Sequence, residues 1–287
     1  MSDDRFRYYS IGHAHHKFMN PANQTTLSEL GWACGLVPRK HAPQIDSLLS
    51  RMNLGQFPGS AVARAERPVI RSVLDVGCGK GAVSFLFAEN FFARCTGVDV
   101  SSGEIHQAQM RKRASARRNM LSFVLADGKE YVEEQREQGR SYDVLMCLGA
   151  TFIFGDTENT LDALLPCLAP GGALAVGEVT LNQVPGAEQY AEQAREHGLL
   201  ARRDEEVIEM ADRRALDITY VIESSRHDWD RYESLQWTAL YEYARSNPRM
   251  CEALEFFSRK GKEKREYFAR ERKYLGWKIF VLRPKQF

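Results

Sequence analysis

The sequence predicts an α/β fold on a parallel sheet, and three observations carry that prediction. From Arg71 onward, short apolar runs alternate with helical patterns. That order lays a parallel sheet between two layers of helices. The first run, Val73-Leu74-Asp75-Val76, ends in Gly77-Cys78-Gly79-Lys80-Gly81. The next two runs end in acids, Asp99 and Asp127. The carboxyl ends of parallel strands are where open α/β sheets bind ligands.

Taken in order, the chain starts with a segment in which Asn23 to Gly31 reads as a capped helix. Thr25 or Thr26 would cap it, and Glu29 stands three residues after Thr26 as the capping-box acid. Residues 37–70 hold Pro38, Pro43, Pro58 and Pro68 and read as an irregular connector with a short helix near 44–52. Strands follow at 72–77, 94–99, 121–126, 142–148, 172–180, 215–224 and 275–283. Helical patterns fall at 82–90, 103–117, 128–138, 157–168 and 185–198. About fifty residues separate the last two strands, where a tight connection would suffice. They are helical in pattern at 229–245 and 248–272, and aromatic, with Trp229, Tyr232, Trp237, Tyr241 and Tyr243.

Composition sets bounds. A chain of 287 residues allows about two domains. Lys and Arg total 39 against 38 Asp and Glu, so the net charge is +1 and gives no overall drive toward nucleic acid or acidic lipid. The six cysteines show no paired spacing and read as reduced core residues of a cytoplasmic protein. No run of 18 apolar residues suggests a membrane span. Oligomeric state is not readable.

The glycines narrow the ligand. A dinucleotide site spaces them G-x-G-x-x-G. Here the spacing is G-x-G-x-G with Asp75 two residues earlier. Glycine lets a ligand approach the backbone closely, and the following helix aims its first amides at that ligand. Asp99, at the end of the second strand, has the bidentate acceptor geometry that suits two ribose hydroxyls. Asp99 and Asp127 also suit plain helix caps, and that reading stays open.

These motifs resemble class I S-adenosylmethionine (SAM) methyltransferases over residues 70–283. The resemblance implies a seven-stranded Rossmann-like sheet in the order 3-2-1-4-5-7-6 with strand 7 antiparallel. His16-Lys17-Phe18-Met19-Asn20-Pro21, Gly149-Ala150-Thr151-Phe152-Ile153, Gly177-Glu178, Asp228-Trp229-Asp230-Arg231-Tyr232-Glu233 and Gly276-Trp277 look more narrowly like a group of uncharacterised bacterial small-molecule methyltransferases with a helical cap. The long connector departs from that group. The implied layout is an N-terminal helical lid at 1–36, the connector at 37–70, a SAM-binding domain at 71–225 and 275–287, and a cap at 226–274. Carried over, Asp75, Gly77, Cys78 and Gly79 would hold the methionine end of SAM. Asp99 would hold the ribose, with Val100 and Ser101 against the adenine. Asp127 and Gly128 would take the adenine edge, and the carbonyls of Cys147 and Leu148 would line the sulfonium.

Methyl transfer is an in-line displacement at an activated sulfonium, so the enzyme mainly positions the acceptor and excludes water. An oxygen or nitrogen acceptor also needs a base. Glu178, at a strand end, and His16, on the proposed lid, are the candidates; His13 and His227 rank behind them. Thr151, Phe152, Trp229 and Tyr232 are expected to wall the substrate pocket, against a plain packing role for the aromatics. The His13-Ala14-His15-His16 cluster lacks a marked further ligand, so no metal is expected. Basic runs at Arg111–Arg118 and Arg259–Arg265 read as solvated helix faces. The expected activity is methyl transfer from SAM to a small molecule, leaving S-adenosylhomocysteine, with nucleic acid and membrane not expected as partners. The competing readings are an RNA methyltransferase, a non-catalytic SAM-binding protein and a dehydrogenase. Against the RNA reading, the fourth strand ends in Cys147-Leu148-Gly149-Ala150 rather than the N-P-P-aromatic motif typical of base-amine methylases.

Overall fold

The computed structural model describes residues 3–39, 69–196 and 198–285, with side chains from Arg7 onward. The expected helix near 44–52 lies outside the described residues. The seven strands are β1 (Arg71–Val76), β2 (Ala93–Asp99), β3 (Leu121–Leu125), β4 (Tyr142–Leu148), β5 (Leu168–Leu181), β6 (Leu216–Glu223) and β7 (Leu275–Pro284). They form one sheet in the order β3-β2-β1-β4-β5-β7-β6, as the resemblance implied. The pairs β1–β2, β2–β3, β1–β4 and β4–β5 are parallel. β7 runs antiparallel to β6: Ser224 N–H donates to Trp277 O while Lys285 N–H donates to Ala215 O, so one number rises as the other falls.

The helices are α1 (Asp3–Gly12), α2 (Gln24–Ala33), α3 (Ala82–Asn90), α4 (Ser102–Ala114), α5 (Gly128–Glu137), α6 (Thr157–Leu164), α7 (Ala187–Glu196), α8 (Asp204–Asp212), α9 (Arg226–Ser246) and α10 (Cys251–Glu266). Strands buried on both faces need continuous apolar runs, and β1 and β4 supply them. Leu74, Val76, Leu145, Leu174 and Phe280 share one core with Leu161 of α6.

Two local readings are corrected. The cap of α2 is Asn23, whose side chain accepts from Thr25 N–H and Thr26 N–H, and Thr26 rather than Glu29 closes the box. Asn23 stands two residues before Thr25, the first of the hydroxyls favoured above, and asparagine caps as well as they do. Glu29 instead accepts from the Tyr220 hydroxyl at 2.8 Å. The helical pattern read at 185–198 is α7 alone, and α8 follows it, burying Val207, Met210 and Ala211.

The chain divides into two compact units. The sheet-core unit comprises Asn23–Glu178, Glu205–Ile222 and Lys278–Phe287; the helical unit comprises Met1–Ala22, Val179–Asp204 and Glu223–Trp277. The division differs from the layout read in the sequence: α2 falls with the sheet, and residues from 179 to 204 fall with the helices. The helical unit has its own cores, one around Leu181, Tyr190, Ala194 and Leu275 with Trp229 packed on it, another around Tyr8, Leu240 and Phe256. Among the described residues no helix is long and apolar enough to cross a membrane, and no group of metal-binding side chains gathers.

Candidate active site

The loop after β1 is built by glycine. Gly77, Gly79 and Gly81 have φ of 75°, 50° and 69°, a left-handed conformation that L side chains rarely adopt. Space forbids a side chain too: a Cβ on Gly77 would lie 2.4 Å from the Cβ of Ala150. A Cβ on Gly128, at the start of α5, would lie 2.9 Å from Val76 Cγ1. The backbone of Gly77 therefore packs directly on the side chain of Ala150 after β4, and that of Gly128 on the side chain of Val76.

Asp99 closes the loop from β2. Its Oδ2 accepts from Gly79 N–H at 2.8 Å and its Oδ1 from Ser101 N–H at 2.9 Å. Each oxygen keeps acceptor capacity for one more donor. Beside it Val100 is 57% exposed, an apolar surface next to a half-buried carboxylate. Asp127 caps α5, its Oδ1 accepting from Lys129 N–H and Glu130 N–H at 2.8 and 3.1 Å. The capping role weighed for Asp127 is thus realised. Asp99 instead ties two loops together, while Ser101 is the cap of α4.

Asp75 is tied to the helix that follows the loop. It is buried and accepts from the Ser84 hydroxyl of α3 at 2.9 Å. Burial raises its carboxyl to about 7, Ser84 opposing and Asp99 adding to the rise. Burial also raises the Cys78 thiol, helped by Asp75 and Asp99. Gly97 of β2 makes room for that thiol: a Cβ there would sit 2.7 Å from Cys78 Sγ. Neither Gly97 nor Ser84 was singled out in the sequence. A glycine inside a strand signals such close approach; a serine in a helix gives no signal. Cys147 and Leu148 are buried, and Gly149 N–H donates to Gly177 O at 2.9 Å, tying the end of β4 to β5.

Glu178 and Thr151 meet where the pairing of β4 with β5 ends, three residues before β5 itself stops. Both are buried, and the Thr151 hydroxyl donates to Glu178 Oε1. The next residue, Phe152, is 69% exposed.

The remaining candidates belong to the helical unit. His16 is buried, with Nε2 2.9 Å from the carbonyl oxygen of Tyr232. His13 Nε2 lies 3.0 Å from the Tyr232 hydroxyl, and its Nδ1 lies 2.9 Å from Tyr9 O. A carbonyl only accepts, so Nδ1 carries the proton and the Tyr232 hydroxyl donates to Nε2. Burial raises the Tyr232 hydroxyl well above its ordinary value. Trp229 packs into the Leu181 core. The structure thus gathers the cofactor candidates with Thr151, Phe152 and Glu178 in one unit, and His13, His16, Trp229 and Tyr232 in the other.

A SAM molecule fits the residues of the first group. The loop turns through three glycines in the left-handed region, Asp99 offers one acceptor per ribose hydroxyl, and Val100 offers an apolar seat for an adenine. Comparison with known proteins agrees. A family model described as a methyltransferase domain matches residues 71–245. A SAM-dependent methyltransferase from Geobacter sulfurreducens, solved with S-adenosylhomocysteine, is 26% identical with a TM-score of 0.76, covering 97% of this chain and 98% of that one. The Escherichia coli (strain K12) protein YjhP is 27% identical over 214 residues, 73% of this chain and 83% of its own. Trans-aconitate 2-methyltransferase from Paracidovorax citrulli is 31% identical over 134 residues, 46% of this chain and about half of its own length at 48%. The chain belongs to the methyltransferase domain family and is a SAM-dependent methyltransferase.

Proposed function

We propose that the acceptor is a small molecule and that Glu178 is the base that takes its proton. The observation that carries this is the Thr151–Glu178 pair, buried where the pairing of β4 with β5 ends. Bound SAM supplies an electrophilic methyl group on a sulfonium. Asp99 and the glycine loop hold the nucleoside, and Thr151 fixes the carboxylate of Glu178 through Oε1. Burial removes water that would compete for the acceptor's proton. The relative named for trans-aconitate has a small acceptor, which supports the same class here. The acceptor atom is left open between oxygen, nitrogen, sulfur and carbon. His16 is the weaker candidate base, because it belongs to the helical unit while the cofactor candidates and Glu178 belong to the sheet-core unit.

The test incubates the protein with methyl-labelled SAM and a cell extract, then separates label by size. Label among small metabolites supports the reading and identifies the acceptor by mass. Label in RNA would move the acceptor to nucleic acid. No transferred label, with SAM still bound, would favour a non-catalytic SAM-binding protein. With the acceptor in hand, Glu178→Gln is expected to lower turnover by about a hundredfold while SAM affinity is kept. Full activity in that variant would remove Glu178 from the mechanism.

A further inference from the structure

We infer that the outer side of α9 and α10 is a docking surface for an anionic phospholipid bilayer. Trp237 and Tyr241, four residues apart, stand one above the other on α9. Each meets a ring from the second helical segment: Tyr241 and Phe257 have centroids 6.1 Å apart, Trp237 and Phe268 5.4 Å apart. The result is a continuous apolar seam rather than scattered surface residues. Tyr241 is 53% exposed, Leu254 53%, Phe257 46% and Phe268 58%. The seam has a reason in the backbone. A π-helical turn over Tyr267–Glu271 follows α10, burying Tyr267 while Phe268 stays on the outside.

The charges beside this seam are positive. Lys264 and Arg265 are exposed on α10, and the ammonium of Lys264 lies 4.6 Å from the centre of the Trp237 ring. Its stem covers apolar surface while its head stays in water. Glu233 of α9 lies beside Trp237, and burial raises its carboxyl above the usual range; the other acids of the two helices are drawn elsewhere. Glu242 is held by His15, Glu252 by Arg7 and Tyr243, Glu263 by Lys260 and Arg259, and Glu266 by Arg270. Glu255 stands about 200° round the helix from Phe257. Leucine and aromatic rings flanked by lysine and arginine match the chemistry of an anionic bilayer interface. A second copy of the chain fits less well, because two-fold pairing sets a cationic rim against itself. The chain's net charge of +1 conceals this local excess, so the composition argued against a membrane partner.

The test is flotation of the full chain with vesicles of phosphatidylglycerol and phosphatidylcholine, against phosphatidylcholine alone. The expected result is binding to the anionic vesicles, reversed by salt. Lys264→Gln should weaken it about fivefold, and the pair Leu254→Glu and Phe257→Glu should abolish it. The thermal melting curve, read by circular dichroism, should stay close to the parent's in both variants and reports that they are folded. Absence of binding, equal binding to neutral vesicles, or binding indifferent to either variant would overturn the inference. Dimerisation that the Leu254→Glu, Phe257→Glu variant alone dissolves would give the surface to a second copy and overturn it too.

Discussion

The acids at the cofactor strand ends and the charged groups of the helical unit are held in different ways. In the sheet-core unit, backbone amides hold the two strand-end acids: Gly79 and Ser101 hold Asp99, and Lys129 and Glu130 hold Asp127. In the helical unit, side chains hold one another. Lys260 is buried and donates to Gln236 at 2.8 Å while pairing with Glu263 at 2.5 Å; Tyr8 donates to Glu263; Asp230 accepts from both Tyr267 and Arg272. Burial raises Glu271 to about 7, with Glu233 and Glu266 adding to it. A site made of backbone serves one nucleoside in many sequences. A network made of side chains changes with each substitution, which is where an acceptor preference can diverge.

The largest test of this contrast is pH. Burial holds Asp75 at about 7 against an ordinary 3.8. Between those values the native state keeps a proton that the unfolded chain has released, so stability falls as pH rises through the window. About three pH units correspond to about 4 kcal/mol, and Asp75→Asn should flatten the profile. Urea midpoints across that range check it; parallel curves for the two proteins would mean that Asp75 ionises freely. Next, Asp99→Ala should cost about 3 kcal/mol of SAM affinity by calorimetry, since charge-assisted bonds are lost. Unchanged affinity would reduce Asp99 to a loop tie. Lys260→Met should lower stability by about 2 kcal/mol, because Glu263 and Gln236 lose a buried partner. SAM affinity should hold; a fall in it would show that the two units are not independent in this respect. The smallest effect is expected for Tyr232→Phe, about 1 kcal/mol from the lost bond to His13. A turnover loss well beyond its stability loss would bring Tyr232 and His13 into the chemistry.

The same contrast explains what could be read from the residues. The strands and the cofactor loop were legible because glycine spacing and strand-end acids are local patterns with a backbone cause; the strand order came from the family resemblance that those patterns carry. Asp75 was legible as part of the motif, but its turn toward Ser84 was not, since a strand residue's facing depends on which neighbour packs there. Trp229 and Tyr232 share one helical pattern. Nothing in that pattern separates the ring that fills a core from the one that bonds His13. The π-helical turn at Tyr267–Glu271 shifts the register of everything after it, so a face counted at 3.6 residues per turn fails there.

The backbone passes between the two units five times, after residues 22, 178, 204, 222 and 277. β7 lies between β5 and β6 but follows both in the sequence. During synthesis, then, β6 has no neighbour in this sheet until β7 has left the ribosome and threaded in beside it. Half-made chains would hold β1 to β5 with an unpaired edge, the stage at which a nascent protein of this design most needs a chaperone. Neither unit is a contiguous stretch that a deletion could remove, so cap and cofactor domain are inherited together.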